Sequence, residues 1–286
     1  MERLIPGHTY TLEVVREAPF GYFLSNGKED ILLHHSEVMR PLEIGEEIEV
    51  FLYQDKKGRI AASMTIPPLA GGRFAWCTVV ETKPELGVFI DIGLSKDILI
   101  HRTDLPKVQA VWPLPGDELY CTLKIDNYGN LLGKIAKESD LQPLFKPASM
   151  KDFNKNVTGR VYRTLRSGTF LITEEGYRGF IHASQRKIEP RLGQKVSGRI
   201  IDVKADGAVN ISLLERSHEV IGKDAEMIYR YLIKHGGKMP YSDQSTPDDI
   251  VRQFGISKSA FKRALGHLLK MNKVEQKNGW TYLRED

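Results

Sequence analysis

Over roughly the first two hundred residues, apolar and polar side chains alternate with a period of two. The runs TYTLEVV (9–15), EIEVFLY (47–53), VTGRVYR (157–163) and KVSGRIIDV (195–203) show this, bounded by Gly, Pro, Asn or Asp. Such runs predict short β-strands, about five in every 65 residues or so. The period changes near residue 224. Ala225, Ile228, Tyr231 and Leu232 share one face of a helix expected over Asp224–His235. Thr246 is a good N-cap for a second helix, with Pro247 at its first position and Asp248 and Asp249 in its first turn. Gly255-Ile256-Ser257 makes a turn, and a third helix opens at Ser257 or Lys258 and runs to about Met271. Phe261, Ala264, Leu265, Leu268 and Met271 lie along one side of it. Val274–Gln276 and Trp280–Leu283 flank Lys277-Asn278-Gly279, a hairpin signal, with Trp280 and Tyr282 expected to pack inward. Helix, helix, turn, helix, hairpin is the winged-helix order.

The strand-rich part repeats three times. Phe20-Gly21-Tyr22-Phe23-Leu24 precedes Ile31–Ser36, Leu86-Gly87-Val88-Phe89-Ile90 precedes Ile98–Thr103, and Ser167-Gly168-Thr169-Phe170-Leu171 precedes Gly179–Ser184. The spacings from Gly to His are 13, 14 and 14 residues. Gly45, Gly116 and Gly193 then open a further strand in each copy, and DKKGR, DNYGN and KADGA supply the last hairpin turns. Short strands at this spacing suit a small closed barrel, in which closure removes the sheet edges.

Length and composition agree with several small globular domains. The net charge of +4 is unevenly placed: −4 over 1–66, 0 over 67–137, −1 over 138–150, +5 over 151–222 and +4 over 223–286. An acidic front and a basic back predict a polyanion held mainly by the C-terminal half. Cys77 and Cys121 sit in strand-like runs and are expected to be buried thiols. The segment MERLIPGHTYTLEVV lacks a basic-then-apolar signal pattern and no run of 18 apolar residues occurs, so a cytoplasmic address and no membrane partner are expected.

The pattern G-x-F, then I-H-x-S, then D-x-x-x-[RN], resembles the S1-type RNA-binding domain, an OB barrel. The fold class that follows is mostly β and multidomain: three tandem five-stranded OB barrels and an α+β winged-helix domain. The expected boundaries are 1–66, 67–139 and 153–218 for the barrels, 140–152 for a linker, and 222–286 for the winged helix. Three such repeats followed by a winged helix resemble the conserved virulence factor B family, whose members are regarded as RNA-binding regulators of gene expression.

That resemblance carries site residues over position by position: an aromatic before the Gly, one two residues after it, the His, and an Asp and Arg on the last hairpin. The first repeat has the full set, Phe20, Phe23, His34, Asp55 and Arg59. The second keeps Phe89, His101 and Asp126, with Leu86 and Asn130 replacing the others. The third keeps Phe170, His182, Asp206 and Asn210, with Ser167 before the Gly. Rings of this kind stack on bases, and phosphate neutralisation supplies much of non-specific affinity. Arg160, Arg163, Arg166, Arg178 and Arg186, interleaved with Tyr162 and Tyr177, are therefore expected to make the third repeat a main anchor. Lys258, Lys262 and Arg263 are expected to serve likewise on the third helix of the winged domain, with Ser259 near a phosphate. The phenylalanines could equally be barrel core, and the histidines could close the strand-to-turn corner.

Catalysis is not expected. The acids are scattered, with no compact D-x-D or H-E-x-x-H, P-loop, G-x-S-x-G or dinucleotide fingerprint, and no metal or cofactor is implied. The function indicated is multivalent binding of single-stranded RNA by a monomeric chain. DNA binding through the winged helix, or protein binding as an adaptor, are the alternatives.

Overall fold

The computed structural model describes residues 3–284, which fall into two compact units, one ending at Leu213 and the other starting at Leu214. The first barrel comprises β1 (Thr9–Ala18), β2 (Gly21–Ser25), β3 (Asp30–His34), β4 (Glu47–Gln54) and β5 (Ile60–Ser63). It closes in the order β1-β2-β3-β5-β4, with β3 and β5 parallel. The third barrel repeats this with β11 (Asn156–Leu165), β12 (Gly168–Thr173), β13 (Arg178–His182), β14 (Lys195–Val203) and β15 (Val209–Ser212). Between them lie β6 (Ala75–Lys83), β7 (Gly87–Ile90), β8 (Ile98–His101), β9 (Glu118–Ile125) and β10 (Leu131–Ile135), in the order β10-β9-β6-β7-β8. This second copy has the same strand order but no ladder joins β8 to β10. The two meet through side chains instead: a Cβ on Gly133 would lie 2.7 Å from Ile100 Cγ1.

The recurring Gly-to-His spacing has a direct cause. Gly21 pairs with His34, Gly87 with His101 and Gly168 with His182 across the β-hairpin. A Cβ on Gly21 or Gly87 would come within 2.1 or 2.0 Å of the carbonyl of Leu33 or Ile100, at φ of +152° and +140°. Only glycine permits that approach. One residue of the first strand bulges in each copy, between Val14 and Arg16, Val79 and Glu81, and Val161 and Arg163, which re-aims the strand across from the motif phenylalanine.

The copies are packed together. On β4 the alternation fails at Val50-Phe51-Leu52-Tyr53, all buried, because one face fills the first barrel and the other joins the core of the second. Gln54 clamps the last hairpin of the second copy, accepting from Leu131 N (2.8 Å) and donating to Gly129 O (2.9 Å). The segment expected to be a linker at 140–152 is anchored to both neighbouring barrels. It begins in a short helix, α1 (Glu138–Leu141), whose Leu141 is fully buried with Tyr162 and Ile172 of the third barrel and Ala136 of the second. Arg191 pairs with Asp117 (3.0 Å), and Glu118 N donates to Gly193 O (3.0 Å), so the second and third copies are also bonded directly.

The second unit consists of α2 (Ser217–Lys234), β16 (Lys238–Met239), α3 (Pro247–Phe254), α4 (Lys258–Lys270), β17 (Val274–Lys277) and β18 (Trp280–Leu283). Thr246 and Ser257 cap α3 and α4, accepting from Asp249 N (3.3 Å) and Ala260 N (3.2 Å). α2 starts seven residues before the expected Asp224. In its first turns Val220 and Ile221 are only half-buried, and the Glu219 carboxylate accepts from Arg216 N (3.2 Å) to fix the start. The core is Ala225, Ile228, Leu232, Ile250, Phe254, Phe261, Ala264, Leu265, Leu268 and Val274. Met271, on the apolar side of α4, follows the helix as its C-cap and is exposed. The inward expectation for Trp280 and Tyr282 is not met: Trp280 is 39% exposed and Tyr282 is only half-buried. Thr281 is the inward residue of β18, its hydroxyl donating to Tyr241 O (2.7 Å).

Candidate nucleic-acid interface

The motif phenylalanines are not core. Phe23, Phe89 and Phe170 are half-buried on the outer face of the second strand of each copy, while Leu24, Ile90 and Leu171 point inward. Across the bulged strand each faces a different residue: Arg16, Glu81 and Arg163. In the first barrel the Arg16 guanidinium lies 3.5 Å from the Phe23 ring centroid, and Phe20, 48% exposed, stands edge-on to Phe23 at 6.2 Å. Among the described residues Arg16 makes no ion pair. Two rings and an unpaired cation in open solvent can stack a base and meet a phosphate. Arg16 escaped the motif reading because it lies four residues before Phe20, beyond the G-x-F pattern. In the second copy Lys83 lies over Phe89 (5.1 Å) and also pairs with Glu81 (2.9 Å), and Leu86 offers no ring.

The histidines do close the corner. His34, His101 and His182 each cap a 3-10 turn, with Nδ1 accepting from the backbone N of Ser36 (3.2 Å), Thr103 (3.3 Å) and Ser184 (3.2 Å). The hydroxyls of the same residues lie 2.8 Å away. A ring that accepts at Nδ1 carries its proton on Nε2, so each histidine turns an N–H donor away from the corner. One residue thus builds the turn and presents a hydrogen-bond donor.

On the last hairpins, Asp55 holds its turn by accepting from Lys57 N (2.8 Å) and Arg59 N (3.0 Å), and pairs with the Arg59 guanidinium (2.7 Å). Asp126 does the same with Tyr128 N, Asn130 N and the Asn130 amide (2.9, 2.8 and 3.0 Å). The third copy departs from the expected match. Its turn-closing bonds join Lys204 and Ala208, as Asp55 joins Arg59, so the equivalent positions are Lys204 and Ala208 and not Asp206 and Asn210. Asp206 sits within the turn and accepts from Ala208 N (3.0 Å), while Asn210 donates to Asp202 (3.1 Å).

The third barrel also corrects the reading of its cations. Tyr162 is only 7% exposed, covered by Phe145 at 6.0 Å, and burial pushes its phenol up to about 12. That ring occupies the bulge and is not available to stack. Arg160 is ion-paired with Glu118, Arg163 (3.1 Å) and Arg178 (2.6 Å) with Glu138, and Arg186 with Glu189. Among the described residues Arg166 is exposed and makes no ion pair. Tyr177, half-buried, takes part in the bridge to Lys146 of the connecting segment. Phe170 remains half-exposed, flanked by Arg163 (5.9 Å), Arg178 (5.5 Å) and Phe180 (4.9 Å).

On α4 of the second unit, Lys262 and Arg263 are exposed and Lys258 half-buried, and none of the three is in an ion pair among the described residues. Ser259 is exposed, with its hydroxyl 3.0 Å from that of the cap Ser257. Trp280 and Lys277 face each other across the wing hairpin beyond. Cys77 and Cys121 are both buried and free; the neighbouring Cys77 and burial push the Cys121 thiol up, which keeps it protonated as packing. Among the described residues no three His, Cys, Asp or Glu side chains are placed to share a metal, and no helix is long and apolar enough to cross a membrane.

These features define a multidomain protein of S1-type OB modules with a C-terminal winged helix. Residues 6–65 match the family described as S1 domain, 74–134 the CvfB first S1-like domain, 141–215 the second domain of virulence regulatory factor CvfB, and 226–283 the CvfB-like winged helix domain. The chain is 50% identical to the uncharacterized protein YitL of Bacillus subtilis (strain 168), over 97% of its own length and 93% of the relative's. It is 37% identical to conserved virulence factor B of Staphylococcus aureus (strain N315), over 98% and 94%. A crystal structure of a multidomain protein with nucleic acid binding domains from Streptococcus pneumoniae TIGR4 superposes with a TM-score of 0.68 at 36% identity, covering 98% of both chains. The chain belongs to the conserved virulence factor B family.

Proposed function

We propose that this protein is a non-enzymatic, cytoplasmic, monomeric binder of single-stranded RNA that regulates gene expression after transcription. The observation that carries this reading is the open face of the first barrel, where Phe20, Phe23 and the unpaired Arg16 stand together. A ring pair beside a guanidinium suits an unstacked base joined to a phosphate, and an Nε2–H from His34 suits a hydroxyl or phosphate oxygen. The nucleic acid binding domains named for the Streptococcus pneumoniae relative, the virulence factor named in Staphylococcus aureus, and the S1 and winged-helix domain types support the coarser reading of a nucleic-acid-binding regulator. The unpaired cations of α4 supply a second anchor. With most arginines of the third barrel neutralised, weight moves from that barrel to the first barrel and the winged helix. Linked weak sites add through effective concentration.

The test is anisotropy with labelled single-stranded RNA, single-stranded DNA and duplex DNA, at two salt concentrations, with the full chain and a Lys258→Ala/Lys262→Ala/Arg263→Ala variant. RNA preference is expected, and the triple variant should flatten the log–log salt slope by about 2 on a single strand. Preference for duplex DNA, abolished by the triple variant, would transfer the function to the winged helix, a reading favoured by its unpaired basic helix. No binding to any nucleic acid would leave the protein-adaptor role.

A further inference from the structure

We propose that Arg163, Arg178 and Phe170 of the third barrel form a nucleotide subsite whose phosphate position is held by the carboxylate of Glu138, so that the chain caps its own site until RNA displaces that carboxylate. The inference rests on the reading of these outer faces as RNA-binding.

Glu138 opens α1, outside the barrel. Its Oε2 lies 3.1 Å from Arg163 Nη1, and its Oε1 accepts from Arg178 Nε (2.7 Å) and Nη2 (2.6 Å). Arg178 thus holds one oxygen through two N–H groups while Arg163 takes the other, and a phosphate offers two guanidinium groups the same pair of charged acceptors. Both guanidiniums lie within 6 Å of the Phe170 ring centroid (5.9 and 5.5 Å), beside the surface on which a base would stack. The pair of arginines is specific to this barrel: the first barrel shares the arginine opposite the motif phenylalanine, Arg16, and the second has Glu81 there, but four residues before the hairpin histidine both have an acid, Asp30 and Asp97, where this one has Arg178.

The cap is docked, not incidental. Leu141 is fully buried and Phe145 rests on Tyr162 at 6.0 Å, which holds α1 over this face. The ion pairs themselves stay half in solvent, with Arg163 50% and Arg178 36% exposed at the side chain. A phosphodiester can therefore replace the carboxylate like for like, one negative charge for another, without exposing a buried ion. Among the described residues no carboxylate pairs with the corresponding Arg16 of the first barrel.

The experiment uses the full chain and labelled single-stranded RNA in anisotropy. Glu138→Gln removes the charge and keeps the shape, and should tighten RNA binding about threefold to tenfold, the range that releasing exposed ion pairs implies. The gain should vanish when Arg163→Ala and Arg178→Ala are added. Glu138→Asp, which keeps the charge, should stay near wild type. Glu175→Gln, at an exposed acid on the same barrel that makes no ion pair among the described residues, controls for net charge and should change affinity by less than about twofold. Equal gains in Glu138→Gln and Glu175→Gln would overturn the cap, as would unchanged or weaker binding by Glu138→Gln while the wild type binds. Failure of both wild type and Glu138→Gln to bind RNA would instead overturn the RNA reading itself. A wild-type measurement guards against loss of fold: the Arg178 Nε–Hε NMR signal should move when RNA saturates the protein, and a signal that stays put refutes the exchange.

Discussion

Replacing Phe20 by alanine separates recognition from folding more cleanly than any other change in the first barrel. The ring sits in the turn between β1 and β2 with 48% of the residue in water, so about half of its apolar surface is already solvated. Truncation should cost the fold only about 1–2 kcal/mol by area. A stacked base contributes about 1–3 kcal/mol, so binding should weaken by about 5- to 150-fold. The backbone at this position is the same in all copies: His35 N donates to Phe20 O, Arg102 N to Leu86 O and Ala183 N to Ser167 O. Leu86→Phe should therefore install the missing ring on the second copy and tighten binding. The assay is anisotropy with single-stranded RNA at several salt concentrations, with circular dichroism to confirm the fold. Phe20→Ala removes no charge and should leave the salt slope unchanged, whereas Arg16→Ala should flatten it by about 0.7. An affinity of Phe20→Ala within about twofold of wild type, with the fold intact, refutes stacking at this face.

Three further outcomes follow from the geometry. Gly87→Ala should destabilise the chain by about 2–4 kcal/mol, because its Cβ would meet the Ile100 carbonyl, whereas Gly27→Ala, also at positive φ but with nothing within 4 Å, should cost about 1–2 kcal/mol; equal urea midpoints would refute the close-approach account. Leu141→Ala should cost about 2–5 kcal/mol in denaturant melts, and a loss below that range would mean that α1 is not held by this side chain. Hydrogen bonds from Lys155 and from the Ser149 backbone and hydroxyl lower Asp152 to about 2 from the ordinary value of 3.8. A depressed carboxylate stabilises the fold above its unfolded value, and that contribution is lost as pH falls from about 4 to about 2. Thermal midpoints of Asp152→Asn should fall less steeply than wild type over that window; identical slopes would refute the assignment.

The architecture was legible because its signals are local. The period-two runs, the turn signals DKKGR, DNYGN and KADGA, and the caps Thr246 and Ser257 all lie where the chain turns or starts an element. The missed features are those that a second segment decides. VFLY on β4 reads as a broken alternation until the second copy is seen against it, and the anchoring of the 140–152 linker shows only once Leu141 is placed in a cluster shared by two barrels. Trp280 was expected inward on alternation alone, but Thr281 takes the inward place because Tyr241 O receives its hydroxyl. The displaced match at Asp206 has the same origin. D-x-x-x-N fits the letters at 206–210, while hairpin closure at Lys204 and Ala208 fixes the register two residues earlier.

Net charge and the placement of individual cations rank the faces differently, for a physical reason. A net charge of +5 over 151–222 counts side chains without regard to their partners. Glu118 and Glu138 come from outside that segment, so they do not enter its sum, yet they neutralise Arg160, Arg163 and Arg178. The acidic first barrel errs the other way. Its net −4 is dispersed, with Glu46 turned to Arg40, Asp55 to Arg59 and Glu37 buried at the junction with Ser95, while Arg16 stays unpaired over Phe23. A nucleic acid meets the local field within about one Debye length, roughly 8–10 Å, and not the sum over a domain. Placement of individual cations against rings therefore ranks the faces differently from net charge. On the proposed reading it sets the open first barrel and α4, whose Lys258, Lys262 and Arg263 make no ion pair among the described residues, ahead of the third barrel while Glu138 remains in place.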